Sequence, residues 1–319
     1  MTRAPASFRN DRILALAGPT AAGKSEVALI LSEKLNGEII SVDSMQVYRG
    51  LDIGTAKPSP GDRARVPHYL IDVVDLAIPF DAAQFVHRAN EAIEAVRRRE
   101  KLSILCGGTG LYFKALFEGL GQAPAGAPEL RAALEAAPLP DLLRELEQRD
   151  PLTYQRIDRQ NPRRIIRALE VIRMTDKPYS LQRADWSQPS RELCKLPFFG
   201  LLRSSADLQQ RIEARVDSMF RQGLVSETEE LLRSGLAQNR AALQALGYRQ
   251  TVEYLHGVRS LPETIALVKT RTRQFAKRQM TWFRRQLPVQ WIQVGSEQPA
   301  AQIAGKIYDE FITTSCWRP

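Results

Sequence analysis

Residues 18–25 read GPTAAGKS, and Gly18, Gly23, Lys24 and Ser25 occupy every fixed position of the pattern G-x-x-x-x-G-K-[ST]. In such a loop the backbone amides and the start of the next helix turn positive partial charge toward phosphate oxygens. Lys24 adds a full charge, the Ser25 hydroxyl is placed to ligate a magnesium ion, and Ala21 and Ala22 keep the loop small enough to wrap closely. The pattern specifies phosphate, not which phosphate compound. Two other stretches offer chemistry. ISVDSMQVYRGLDIGTAKP (40–58) carries Asp43, a carboxylate suited to holding magnesium, to taking a proton from a nucleophile, or simply to capping a turn. SILCGGTGLYFKAL (103–116) carries Thr109, whose hydroxyl can hydrogen-bond a phosphate oxygen as it becomes a leaving group. Gly107, Gly108 and Gly110 give that hydroxyl bare backbone on either side, or serve only a tight turn. Lys57 reads as a solvated surface lysine.

Groups this far apart in the chain meet only if the elements between them build one edge. The spacing predicts alternating strands and helices over the first third. Strands are expected at ILALAG (13–18), GEIISVDS (37–44), HYLIDVVD (68–75) and SILCGG (103–108). Helices are expected at KSEVALILSEKL (24–35), at FDAAQFVHRANEAIEAVRRREK (80–101) with Asp81 as its cap, and at GLYFKALFEGL (110–120). Such alternation predicts a parallel sheet covered by helices on both faces. In open parallel sheets the carboxyl ends of the strands border the ligand crevice, which is where Asp43 and Thr109 would then sit. GQAPAGAP (121–128) breaks the alternation, and 129–175 reads as helices alone. Strands return at LPFFGLL (196–202) and VQWIQV (289–294) within a mostly helical remainder. The expected division is a core of residues 1–121 and 193–319 with a helical insertion at 122–192.

The chain has 319 residues and carries 45 Lys+Arg against 36 Asp+Glu, an excess that favours an acidic partner such as nucleic acid. Two basic stretches sharpen this. QRIDRQNPRRIIRALEVIR (155–173) is rich in arginine, and Lys269 to Arg285 holds seven basic residues and no acidic one, interleaved with Phe275, Trp282 and Phe283. Cations with aromatic rings between them are the footprint expected of RNA binding, although an amphipathic helix with Phe275 and Phe283 in the core would look the same. The three cysteines, Cys106, Cys194 and Cys316, form no C-x-x-C pair, so a disulfide framework or structural zinc is not expected and a reducing cytoplasm fits. No apolar run approaches the roughly 18 residues of a membrane span. The first eleven residues lack the apolar region of a secretory signal and read as a loose leader.

In order along the chain, GPTAAGKS (18–25), DSMQVYRGLDIGTAKP (43–58), GGTGLY (107–112), NPRRIIRALE (161–170), GYRQ (247–250) and KRQMTWFR (277–284) resemble the bacterial tRNA dimethylallyltransferases, or tRNA isopentenyltransferases, over about residues 12–290. The resemblance implies a P-loop NTPase-like α/β fold with an inserted all-helical domain. It implies transfer of a dimethylallyl group from dimethylallyl diphosphate to N6 of the adenosine at tRNA position 37, beside the anticodon. The 18–25 loop (Gly18, Thr20, Ala21, Ala22, Gly23, Lys24, Ser25) would then grip an isoprenoid diphosphate, joined by Arg215. Asp43 would take the amine proton, Mg²⁺ would sit on Ser25, and Lys24, Mg²⁺ and Thr109 would stabilise the leaving diphosphate. An elongated molecule is implied, gripping the anticodon stem-loop between core and insertion with the target base flipped into a channel.

For tRNA the resemblance points to Asp43, Ser44, Met45 and Gln46; to Gln160, Asn161, Pro162, Arg163 and Arg164; to Gln244 through Arg249, including Gly247 and Tyr248; and to Lys277, Arg278, Gln279, Trp282 and Arg284, with Thr109 close to the target base. Trp282 reads as core in preference to a stacking platform. A monomer is expected, no membrane partner, and no zinc finger of the kind some eukaryotic members add. An apolar tunnel is required for the prenyl tail. Two other readings use the same loop: a small-molecule or nucleotide kinase, and an RNA-binding switch responding to a nucleotide. The kinase reading leaves the long basic helical segments and DSMQVY unexplained.

Overall fold

The computed structural model describes residues 12–186 and 188–314. Its centre is a six-stranded, wholly parallel sheet in the order β3-β2-β4-β1-β5-β6. The strands are β1 (Ile13–Ala17), β2 (Gly37–Val42), β3 (His68–Tyr69), β4 (Leu102–Gly107), β5 (Phe198–Arg203) and β6 (Gln290–Val294). Every residue of β1, β2 and β4 is buried, as expected where helices cover both faces. Alternate side chains feed two cores. Leu14, Leu16, Ile39, Ile104 and Leu201 pack against α1 (Lys24–Lys34) and, further on, the C-terminal helix Ala300–Thr314. Ala15, Ile40, Leu105 and Phe198 face the other way, toward Phe85, Phe113 and Phe283.

The third expected strand shrinks to His68–Tyr69, with only Val74 bridging back to Tyr48. Leu70 and Asp72 take left-handed backbone (φ 61° and 56°), which ends an extended run. Asp72 accepts from both Lys57 and Arg63, and Lys57 also donates to the Tyr48 carbonyl and pairs with Asp52. The Lys57 side chain is 2% exposed, so the expected surface lysine is a buried post beneath the 43–76 segment. Arg63 lies on the short helix α2 (Pro60–Arg65), closed by a capping box between Ser59 and Asp62. Helix α3 (Ala82–Arg98) begins on Asp81, which accepts from the Gln84 amide, and buries Phe85, Ala89, Ile93 and Val96 at helical spacing. Helix α4 (Gly110–Glu118) follows β4.

By their internal contacts the described residues divide into two compact units, Glu118–Gln188 and the rest of them. The smaller unit contains α5 (Pro128–Ala136), α6 (Leu139–Arg149), α7 (Pro151–Arg156) and α8 (Pro162–Thr175) around Leu134, Leu142, Leu146, Ile165, Leu169 and Ile172. Glu170 is fully buried there and accepts from Arg131, Arg167 and the Ala127 amide. Those bonds satisfy a carboxylate that burial would otherwise penalise. The larger unit continues through α9 (Arg191–Lys195), α10 (Ser205–Arg221), α11 (Leu224–Arg233), α12 (Tyr248–Leu255), the long α13 (Leu261–Gln286) and α14 (Ala300–Thr314). No helix among the described residues is long and apolar enough to cross a membrane.

Candidate active site

Three strand ends are in register: Ala17 of β1 and Val42 of β2 both pair with Gly107 of β4. The loops that leave these ends therefore emerge side by side, one strand spacing (about 4.8 Å) apart. They carry the 18–25 loop, Asp43 and Thr109. Gly107 permits the approach, since a Cβ there would lie 2.0 Å from the Val42 carbonyl oxygen. Above them is a cavity of about 430 Å³ lined by Thr20, Lys24, Ser25, Asp43, Thr109 and Arg215 on its polar side. Val216, Met219, Leu246, Val268 and Phe275 form an apolar side.

Within the glycine-rich loop, Gly23 is the N-cap of α1 in left-handed backbone (φ 95°), and Ala21 is left-handed as well (φ 64°). The Lys24 amine donates to the Pro19 carbonyl at 2.7 Å. Burial, with a smaller contribution from Arg215, lowers its pKa to about 8 against the opposing effects of Cys106 and Asp43. Burial likewise lowers the Arg215 guanidinium, opposed by Asp43. Two cations and one carboxylate thus face one space.

Asp43 is held by its own turn. Its Oδ1 accepts from the Met45 amide at 2.8 Å and the Gln46 amide at 3.3 Å, leaving Oδ2 without a partner among the described residues. Thr109 is fixed from two sides: its amide donates to the Val42 carbonyl and its hydroxyl oxygen accepts from the Ser44 amide at 3.1 Å. With its oxygen so occupied, the hydroxyl proton is free to be donated into the cavity. The Gln46 side chain accepts from Ser41 and donates to the Thr55 carbonyl, closing the 43–56 segment on itself.

Several residues expected at an RNA surface are used internally. Gln279 is buried on α13, where its Oε1 accepts from the Thr20 amide at 2.9 Å and its Nε2 donates to the Gly108 carbonyl at 2.8 Å. It is a strap between two loops, and it occupies the Thr20 amide, one of the donors expected to meet phosphate. Trp282 lies three residues on, over Gly110, where a Cβ would come within 2.1 Å of the ring, and it packs against the core beside Phe283. The core reading of Trp282 and Phe283 is what the packing gives, whereas Phe275 is 36% exposed at the cavity.

Tyr248 is engaged inside the protein: its ring is fully buried, and its hydroxyl donates to Glu227 (2.5 Å) and accepts from the Gly54 amide (3.0 Å). Burial raises the pKa of both Tyr248 and Glu227, keeping the phenol protonated. Gly247 is buried as the N-cap of α12, and Arg249 is exposed but paired with Glu253.

The basic stretches divide the same way. Lys277, Arg278 and Arg284 are exposed on α13, while Lys269 and Arg273 are paired with Asp217 and Glu213. In the smaller unit Gln160, Pro162, Arg163 and Arg164 are exposed at the start of α8, next to Asn161, its N-cap. Arg167 and Arg173 are instead engaged by Glu170 and Glu145. Sequence reasoning missed Arg203 and Arg211, whose guanidinium groups reach the glycine-rich loop from β5 and α10. Their spacing to Asp207 on α10 was the signal available.

A family model described as IPP transferase matches residues 46–286. The chain belongs to the IPP transferase family. It is 43% identical over 284 residues to tRNA dimethylallyltransferase 1 of Citrifermentans bemidjiense, covering 88% of this chain and 92% of that one. To the tRNA dimethylallyltransferase of Pelotomaculum thermopropionicum it is 42% identical, covering 94% and 96%. Among solved structures it is similar to the full-length tRNA isopentenylpyrophosphate transferase of Bacillus halodurans (36% identity, TM-score 0.68, 95% of this chain and 98% of that one). It is also similar to a eukaryotic dimethylallyltransferase crystallised acting on tRNA (26% identity, TM-score 0.77, 96% and 81%).

Proposed function

We propose that the chain is a tRNA dimethylallyltransferase that prenylates N6 of the adenosine 3′ to the anticodon, using dimethylallyl diphosphate. The activity follows from its family and from relatives of that name at high coverage, which set aside the kinase reading. One observation carries the chemistry: a single cavity holds an anion-gripping loop, an open carboxylate oxygen and an apolar wall.

The exocyclic amine of adenine is a weak nucleophile because its lone pair is delocalised into the ring. As it attacks the allylic carbon, the new C–N bond forms and the C–O bond to diphosphate breaks, its electron pair leaving with the diphosphate. Oδ2 of Asp43 takes the amine proton, the other carboxylate oxygen being anchored by the Met45 and Gln46 amides. Lys24, Arg215, the loop amides and the Thr109 hydroxyl stabilise the charge that grows on the leaving group. The prenyl tail lies against Val216, Met219, Val268 and Phe275.

Magnesium fits the donor set present. Ser25 faces the cavity, and no group of three His, Cys, Asp or Glu able to hold a metal exists among the described residues. The Ser25 hydroxyl would hold a magnesium ion, which would supply further positive charge to the leaving group. Lys277, Arg278 and Arg284 on α13, and Arg163 and Arg164 on α8, supply phosphate contacts for tRNA, and a cytoplasmic enzyme would share its compartment with that substrate.

Incubation with unmodified tRNA, Mg²⁺ and labelled dimethylallyl diphosphate tests the proposal. Label is expected in tRNA, on N6 of that adenosine after digestion. Folded protein that leaves the tRNA unlabelled would overturn it.

A further inference from the structure

The glycine-rich loop is gripped from behind as well as open in front. Arg203, at the end of β5, is 7% exposed, and its Nε donates to the Ala22 carbonyl at 2.8 Å. The same guanidinium donates to Oδ2 of Asp207 at 2.8 Å and to the Gly295 carbonyl at 3.1 Å. Arg211, on α10, donates from Nε to the Ala21 carbonyl at 2.9 Å. A Cβ on Gly23 would stand 3.6 Å from a terminal nitrogen of each arginine, so both guanidinium groups close around the same peptide.

We propose that Arg203 and Arg211 are positioning residues that hold the peptide planes of the 18–25 loop in the orientation a diphosphate requires. In a trans peptide the carbonyl and the following amide lie in one plane and point in opposite directions. Fixing the Ala22 carbonyl toward Arg203 therefore fixes the Gly23 amide on the other side. Ala21 needs such a hold most, because it is an L-residue in left-handed backbone (φ 64°), a conformation that persists only when its surroundings over-determine it.

Asp207, Arg211 and Arg215 are spaced four apart and so share one face of α10. That helix anchors Arg203 through Asp207, holds the loop through Arg211, and sends Arg215 into the cavity. Asp207 also offsets the repulsion of two neighbouring arginines.

The inference rests on the reading of this loop as a diphosphate site, and two variants separate the two. The probe is inorganic pyrophosphate with Mg²⁺, measured by calorimetry, with tRNA affinity and thermal unfolding as controls. Arg211→Met, at a half-buried position, keeps side-chain length but removes the donor. It is expected to weaken pyrophosphate about tenfold and leave tRNA affinity within about twofold. Asp207→Ala gives a test of sign. Removing a negative charge would tighten pyrophosphate if the arginines acted only through space, whereas loss of the Arg203 anchor is expected to weaken it severalfold. Unchanged binding in folded Arg211→Met, or tighter binding in Asp207→Ala, would overturn the inference. Failure of the wild-type protein to bind pyrophosphate would instead overturn the reading of the loop itself.

Discussion

The Thr109 hydroxyl accepts the Ser44 amide at 3.1 Å, tying the loop after β4 to the turn that begins with Asp43. Because Asp43 accepts from the next two amides of that turn, the proposed leaving-group stabiliser and proton acceptor are tied to each other through the Ser44 amide.

Asp43→Asn preserves the oxygen that accepts the Met45 and Gln46 amides but loses basicity. Single-turnover prenylation is expected to slow by about 10²–10⁴-fold, the usual range for a lost general base, without weakening of tRNA or pyrophosphate binding. Turnover near that of wild type would remove Asp43 from the proton path.

Lys24 sets a pH dependence. Burial penalises the charge and lowers its amine to about 8, and bound diphosphate would return it to the charged form. Between about pH 8 and 10.5 binding should take up a proton, and affinity should fall as pH rises, relative to Lys24→Met as reference. The same depression means that the unfolded chain binds more protons in that window. This group's burial cost is therefore fully present below pH 8 and is relieved as pH rises toward 10.5. Calorimetry at pH 8.5 in buffers of different ionisation heat reads the proton directly. Equal proton counts for wild type and Lys24→Met would contradict the assignment.

How far the sequence could be read is clearest at this edge. Strands β1, β2 and β4 were legible because buried parallel strands are continuous apolar runs, and a glycine-rich loop after one of them has few other uses. The internal partners of Gln279, Tyr248 and Lys57 were not legible. Gln279 reaches partners 259 and 171 positions away, and Tyr248 one 194 away, so no local pattern marks either. Lys57 looked solvated because its acceptors, Asp72 and the Tyr48 carbonyl, converge only after Leu70 and Asp72 adopt left-handed backbone, which neither residue type announces.

Tyr248→Phe removes a hydroxyl that serves Glu227 and the Gly54 amide in a buried setting. The loss is expected to cost about 1–3 kcal/mol in urea unfolding, the range for stranding a buried polar partner. tRNA affinity should stay within about twofold. Full stability with weakened tRNA binding would restore Tyr248 to the RNA surface.

Arg163 and Arg164 are exposed at the start of α8 and make no ion pair among the described residues. Each alanine variant is expected to weaken tRNA binding at low salt and reduce the slope of log K against log salt by about one, with pyrophosphate affinity unchanged. An unaltered slope would show that neither touches a phosphate.

The central claim is that this loop grips a leaving group and never donates a phosphoryl group. Dimethylallyl diphosphate carrying ¹⁸O at the bridging position between the allylic carbon and phosphorus tests it directly, with unmodified tRNA as acceptor. One prenylated adenosine is expected for each pyrophosphate released, with the ¹⁸O in the pyrophosphate, because the C–O bond is the one that breaks. Label retained in the organic product, or phosphate transferred to the tRNA, would contradict it.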